Sequence, residues 1–302
     1  MNLQNALNSR LGIALGVLLS RLPRAAGYRT AAWIADQVSS QKDIPGVRAV
    51  RANQWVIHNE KISSDELNQL VVNTYRNTAR GLYEFWHFLP KKDAVVRLVD
   101  FDPTFFECIQ NAKERGEGLL IVLPHLANFD LVGHAAVLNG VKLHVLSYPQ
   151  PPGGYRWQNK LRKLEGLNIT PLSIEALHLA SETIRSGGIV TTGIDRPLTG
   201  DERKYQVSFF GRKAVLPVFH IRLALKHNIP IVVIGGRKKA DDKYLIWASH
   251  PLRMKRFDNL VDEIVYNAEA ILDISANDIR QAPDQWAMYY PVWPEVLDQV
   301  PV

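Results

Sequence analysis

Apolar positions along this chain follow two different periods, and the change falls near residue 117. Before it the spacing is helical. A continuously apolar stretch, residues 11–20 (LGIALGVLLS), lies between Arg10 and Arg21. Further helices are predicted over residues 22–38 and 64–88. The latter starts at a cap on Ser63 or Ser64, carries Glu66 in its first turn, and ends before Pro90. Leu67, Leu70, Val71, Tyr75, Leu82, Phe85 and Trp86 give it a partly helical apolar stripe, and the aromatic run 83–88 reads first as core packing.

After the change, short apolar runs of strand length alternate with helical ones. Strands are predicted at 118–123, 141–147, 168–172, 189–194, 229–234 and 244–249. Helices are predicted at 157–164, 175–185, 217–226 and 257–279. Asn139-Gly140, Gly187-Gly188 and a charged turn with Asp241 and Asp242 punctuate the pattern. The alternation predicts an α/β sheet covered by helices on both faces. No internal repeat and no Gly/Ser linker divides the chain. The organisation expected is a helical N-terminal extension over residues 1–90, followed by one continuous α/β unit over 91–302.

Composition changes this picture little. With 302 residues, 46% of them apolar and 22% charged, the chain suits a globular domain and not a disordered one. The lone Cys108 excludes an internal disulfide and a cysteine-rich zinc site, and reads as a small buried hydrophobe in a reducing setting. The net charge of +6 points to an anionic partner. Its distribution narrows the choice. Between Met1 and His58 there are Arg10, Arg21, Arg24, Arg29, Lys42, Arg48 and Arg51 against only Asp36 and Asp43, so the excess flanks the apolar stretch. At about 1.5 Å per residue that stretch makes roughly 15 Å of helix. A span needs about 20 apolar residues. Arg21, Pro23 and Arg24 follow it, not a small-residue cleavage site. It reads as a short helix that dips into one leaflet with arginines at the headgroups, the alternative being a helix buried in the protein core.

The sharpest local feature is Leu123-Pro-His125-Leu-Ala-Asn-Phe-Asp130, at the end of the first clear strand. Ligands of open α/β sheets bind outside the carboxyl ends of strands. In one continuous helix, positions five apart point about 140° from each other. With His125 in the turn and Asp130 in the first turn of the next helix, the carboxylate comes back under the imidazole. It then fixes the tautomer and leaves the other ring nitrogen to take a proton. No side-chain nucleophile accompanies the pair: there is no G-x-S-x-G elbow and no Cys beside a His. The attacking group is therefore expected to be a hydroxyl of a second substrate, deprotonated by His125.

His125-x4-Asp130 after an apolar strand resembles the HX4D motif of glycerolipid acyltransferases. More of the chain resembles one branch, the lipid A biosynthesis (lauroyl/myristoyl) acyltransferases with the related phosphatidylinositol mannoside acyltransferases. Arg162-Lys-Leu-Glu-Gly166 looks like their R-x3-G segment. Asp195-Arg-Pro-Leu-Thr-Gly200, then Val207-Ser-Phe-Phe-Gly211 and residues 214–217, looks like their D-x4-G block with its F-F-G. Pro283-x2-Trp286-x6-Trp293 looks like their closing tryptophan segment, with Val292 where an Arg commonly stands. Asp130 follows the mannoside and glycerolipid pattern, where the lipid A enzymes usually carry Glu.

The resemblance implies an α/β fold with a central mixed sheet flanked by helices and a helical, membrane-associating N-terminal extension. It implies transfer of a fatty acyl chain from acyl-CoA or acyl carrier protein to a hydroxyl of a glycolipid or phospholipid. The protein would work at the cytoplasmic face of the bacterial inner membrane, anchored by its N-terminal helix, with the membrane lipid, the membrane surface and the acyl donor as partners. No metal, no other cofactor and no nucleic acid is expected. His125 is the base and Asp130 its orienting carboxylate. Arg162 would hold a phosphate or the developing oxyanion. Asp195 and Arg196, at the end of a strand, would orient the acceptor, and Asn128 either meets substrate or only caps the helix. Two rival readings stand beside this one. A glycosyltransferase on a membrane lipid would need a nucleotide-sugar site; Asp100-Phe-Asp102 has the spacing of a metal-binding D-x-D but precedes Pro103 and reads as a turn. A non-catalytic basic membrane-surface protein would be indifferent to His125.

Overall fold

The computed structural model describes residues 16–149, 166–197 and 205–301, together with Asn159 and Lys163. Arg162, most of the helix expected at 157–164 and half of the apolar stretch 11–20 lie outside the described residues.

Among the described residues, a helical turn at 16–19 is followed by three helices: α1 (Arg24–Ser39), α2 (Pro45–Ile57) and α3 (Ser64–Phe88). The start of α3 is written in the sequence. The Ser63 hydroxyl accepts from the Glu66 amide while the Glu66 carboxylate accepts from the Ser63 amide, a reciprocal cap that satisfies two otherwise orphaned donors. No helix among the described residues is long and apolar enough to cross a membrane.

The α/β body follows as α4 (Lys92–Leu98), β1 (Val99–Phe101), α5 (Pro103–Glu114), β2 (Leu119–Leu123), α6 (Phe129–Leu138), β3 (Leu143–Ser147), β4 (Asn168–Pro171), α7 (Ile174–Arg185), β5 (Ile189–Gly193), β6 (Gln206–Phe209), β7 (Arg212–Val215), α8 (Phe219–His227), β8 (Ile231–Lys238), β9 (Tyr244–Ala248) and α9 (Leu260–Gln281). Seven strands form one mixed sheet in the order β1-β9-β8-β2-β5-β3-β4. Strands β8, β2, β5, β3 and β4 run parallel; β9 is antiparallel to β8, and β1 is parallel to β9. Alternate residues of β2 serve opposite faces. Leu119 and Ile121 pack with α4, α5 and α6, whereas Leu120 and Val122 pack with α7, α8 and α9. That two-sided burial explains why the strands read as continuous apolar runs.

The sequence pattern does not predict α4, β1, α5 or the hairpin β6–β7. Asp100-Phe-Asp102 is not a turn: Asp100 and Phe101 end β1, and Asp102 caps α5, accepting from the Thr104 amide with Pro103 at the first helical position. Residues 206–215 form a separate antiparallel hairpin, β6–β7. Its two-residue tip, Phe210-Gly211, has φ of 51° and 77°, the left-handed pair that matches strand twist in tight hairpins.

Candidate active site

His125 leaves β2 two residues past Leu123, and Asp195 leaves β5 two residues past Gly193. Leu123 and Gly193 are paired neighbours in the sheet, so equal offsets bring His125 and Asp195 side by side at its carboxyl edge. The Nδ1 of His125 lies 2.6 Å from Asp195 Oδ1. Asp195 Oδ2 accepts from the His125 backbone amide at 2.7 Å and from the Trp286 indole Nε1 at 2.7 Å. Burial pushes the fully enclosed Asp195 carboxyl up. The charge of His125 and the hydrogen bonds from its ring, the Trp286 indole and the His125 amide outweigh that, and hold Asp195 below the usual carboxylate range. An ionised Asp195 fixes the proton of neutral His125 on Nδ1 and leaves Nε2 as the acceptor. Gly193 is required beside the ring, because a Cβ there would lie 2.9 Å from His125 Cε1.

The partner expected from spacing was Asp130, and the Nδ1 contact goes to Asp195 instead. The turn itself is the expected one, and the register of β2 with β5 gives Nδ1 to Asp195. Ala127 takes a left-handed φ of 55°, and Asn128 caps α6 by accepting from the Leu131 amide, so Asp130 sits in the first turn of that helix and lines the same cavity as His125. Asn128 is 8% exposed and also donates to the Gly81 carbonyl at 2.9 Å, so its side chain ties α6 to α3. A left-handed alanine costs about 1–2 kcal/mol. It is held by the closing segment of the chain: Ala127 N donates to Gln285 O at 3.1 Å, Ala287 N donates to His125 O at 2.8 Å, and Leu126 and Trp286 form an antiparallel bridge. The tryptophan segment, quoted above only for its resemblance, therefore supports both members of the pair. Trp286 also packs against Phe210 of the hairpin tip, and Trp293 stacks on Phe209.

His125 opens into a cavity of about 180 Å³. Its walls are mostly apolar. Ile121, Leu143, Val145 and Ile169 rise from the sheet, and Phe129, Val132, Gly133 and Ala136 descend from α6. Ser147, Tyr148 and Arg196 line it as well. The Arg196 guanidinium carbon lies 3.5 Å from the Tyr148 ring centroid and 3.9 Å from that of Tyr290. Among the described residues, no cluster of three or more His, Cys, Asp or Glu is arranged to hold a metal ion.

A polarised imidazole facing a mainly apolar cavity suits base chemistry on a substrate with a long hydrocarbon part. Comparison with known proteins gives the family. The sequence model of the bacterial lipid A biosynthesis acyltransferases matches residues 3–294. The chain belongs to that family. It is also similar to the phosphatidylinositol mannoside acyltransferase of Mycolicibacterium smegmatis, 24% identical over 61% of this chain and 59% of the relative. The corresponding protein of Mycobacterium tuberculosis is 25% identical over 59% of this chain and 55% of its own length. The chain thus spans little more than half the length of the curated relatives it matches. Membership of the family agrees with the motif order along the sequence, and Asp195 and Trp286, from two of those motifs, meet at one carboxylate.

Proposed function

We propose that this protein is an O-acyltransferase, moving a fatty acyl chain from the thioester of acyl-CoA or acyl carrier protein to a hydroxyl of a glycolipid or phospholipid. The observation that carries the reading is an imidazole at an apolar cavity whose Nδ1 is held by a buried carboxylate. The Nε2 of His125 takes the hydroxyl proton as the acceptor oxygen attacks the thioester carbon. The tetrahedral intermediate then collapses, the carbon–sulfur bond breaks, and the imidazolium returns its proton to the departing sulfur. Asp195 stabilises the imidazolium and keeps the tautomer. Asp130, on the cavity wall, is the second carboxylate and is assigned to orienting the acceptor. Family membership favours acyl transfer over the glycosyltransferase and non-catalytic readings.

The reading also places the work at a membrane surface, on the cytoplasmic face of the inner membrane. Leu18 and Trp33 are 61% and 64% exposed, and Arg21, Arg24 and Arg29 beside them are exposed too. Apolar and cationic side chains in one region suit an anionic headgroup layer. Removing residues 1–24 should lower co-sedimentation with anionic vesicles, and unchanged sedimentation would remove this part of the reading.

The direct test is transfer from labelled acyl-CoA and acyl carrier protein into a bacterial lipid extract. The wild type should give a labelled lipid that His125→Ala does not. Asp195→Asn, which presents the wrong group to Nδ1, should lose about 10³–10⁴-fold in kcat, and Asp130→Asn should chiefly raise the KM for the acceptor. Equal losses in kcat for both aspartates would return Asp130 to the base pair. No product with either donor from a folded protein would sink the assignment.

A further inference from the structure

We propose that Arg196 forms an anion-binding subsite of the cavity, shaped to take a phosphoryl oxygen of a substrate. The inference deepens the acyltransferase reading and rests on it for the identity of the substrates. Arg196 follows Asp195 directly, so the carboxylate that holds His125 and the guanidinium leave the same strand end. Tyr148 and Tyr290 cover the guanidinium at 3.5 and 3.9 Å. Contact at those distances comes from stacking, which occupies the flat surfaces and leaves the N–H donors to act through the edges. The Arg196 Nε is buried and has no hydrogen-bond partner, and among the described residues no carboxylate forms an ion pair with this side chain. Buried donors on a charged group are ordinarily paired. Arg196 lines the same cavity as His125 and its guanidinium makes no ion pair among the described residues, so the partner of its cavity-facing nitrogens, rather than of the enclosed Nε, is assigned to the ligand.

The chemistry narrows that ligand. A planar fork of donors matches the oxygens of a phosphate or carboxylate. The cavity walls are apolar, so the hydrocarbon part of a substrate fills the interior and a permanent anion is held at the guanidinium. Both substrate classes can supply a phosphoryl oxygen, the donor from the phosphodiester (carrier protein) or diphosphate (CoA) that ends its pantetheine arm, and a phosphate-bearing acceptor from its headgroup. Either source presents the same group to Arg196.

Calorimetric titration of the full chain separates the sources. The probes are coenzyme A for the donor, glycerophosphoinositol for a lipid headgroup, and dodecanol as a neutral apolar control. Wild type should bind at least one phosphate probe, and the one bound names the source. Arg196→Gln should weaken that binding tenfold or more and leave dodecanol binding unchanged. Arg196→Lys, which keeps the charge and loses the stacked fork, should weaken it about threefold; it carries the test if Arg196→Gln fails the dodecanol control. Equal affinity of wild type and variants for both phosphate probes, or binding of neither by a wild type that takes dodecanol, overturns the proposal. Turnover is not part of the readout. Loss of phosphate binding in a protein that transfers no acyl chain removes the acyltransferase reading and keeps the subsite. Normal transfer with affinities untouched by substitution does the reverse.

Discussion

At the scale of single residues, the site depends on one carboxylate with three donors. Asp195 accepts from the His125 ring, the His125 amide and the Trp286 indole, and each contributes to keeping it ionised although it is fully buried. Trp286→Phe removes the indole donor and keeps an aromatic ring among Phe209 and Phe210. A hydrogen bond to a charged acceptor is worth about 1.5–3 kcal/mol, so kcat should fall roughly ten- to a hundredfold. The pH response has a definite sign. The folded-state pKa of Asp195 is depressed, so its ionised form persists to lower pH than an ordinary carboxylate and is lost as pH falls through the folded value. Losing a donor raises that value. The variant should therefore lose activity at a higher pH than wild type on acidification. A pH–rate profile that scales down without moving would assign Trp286 to packing alone.

At the scale of elements, α6 decides what the cavity admits. Gly133 and Ala136 are small and face the sheet across the cavity, which keeps a slot open between helix and strands. A Cβ built on Gly133 would meet only Leu167 Cδ1, at 3.9 Å, so a side chain added there has the cavity to fill. Gly133→Leu should leave stability unchanged or raise it, since leucine favours a helix over glycine by up to about 1 kcal/mol. Given a mixture of acyl donors, the variant should transfer shorter chains than wild type, read by mass spectrometry of the product. An unchanged chain-length profile would place the acyl chain elsewhere. The hairpin β6–β7 acts at the same scale, carrying Phe209 and Phe210 onto Trp293 and Trp286 and so backing the segment that holds Asp195.

Across the whole molecule, the N-terminal helices are bound to the carboxyl edge of the sheet. Asn53 and Gln54 of α2, each 1% exposed, hold the closing segment through the carbonyls of Met288, Tyr290 and Pro283, and that segment in turn holds the loop of His125. Glu84 of α3 is fully buried. It accepts from Tyr28 of α1, from Arg80, from Lys238 at the end of β8, and from Tyr244 at the start of β9. Burial lowers the Lys238 ammonium, and the charge and hydrogen bond of Glu84 oppose that shift. Breaking a buried pair by removing one partner costs about 3–5 kcal/mol, because the other charge stays buried and uncompensated. Glu84→Gln should lower the unfolding free energy by about that much in denaturant titration. A change under about 0.5 kcal/mol, the level of an ordinary surface substitution, would show that the cluster is solvated and joins nothing.

The sequence by itself determined most of the elements and, through the resemblance, the family. Period, caps and turn residues are local, so α3 with its Ser63 cap, the alternating strands and helices, and His125 at a strand end could all be read directly. Motif order singled out the segments of Asp195 and Trp286, but assigned Asp195 to the acceptor and gave Trp286 no role. Only the tertiary structure decided which carboxylate meets the imidazole. Spacing favours Asp130, five residues away, but the contact depends on the parallel register of β2 with β5, which brings a residue 70 positions distant into hydrogen-bond range. The role of Trp286, the stacking of Arg196 between Tyr148 and Tyr290, and the joining of α1 and α3 to the sheet through Glu84 were hidden for the same reason. Each is a meeting of segments far apart in the chain, and local pattern carries no record of which distant side chain will arrive.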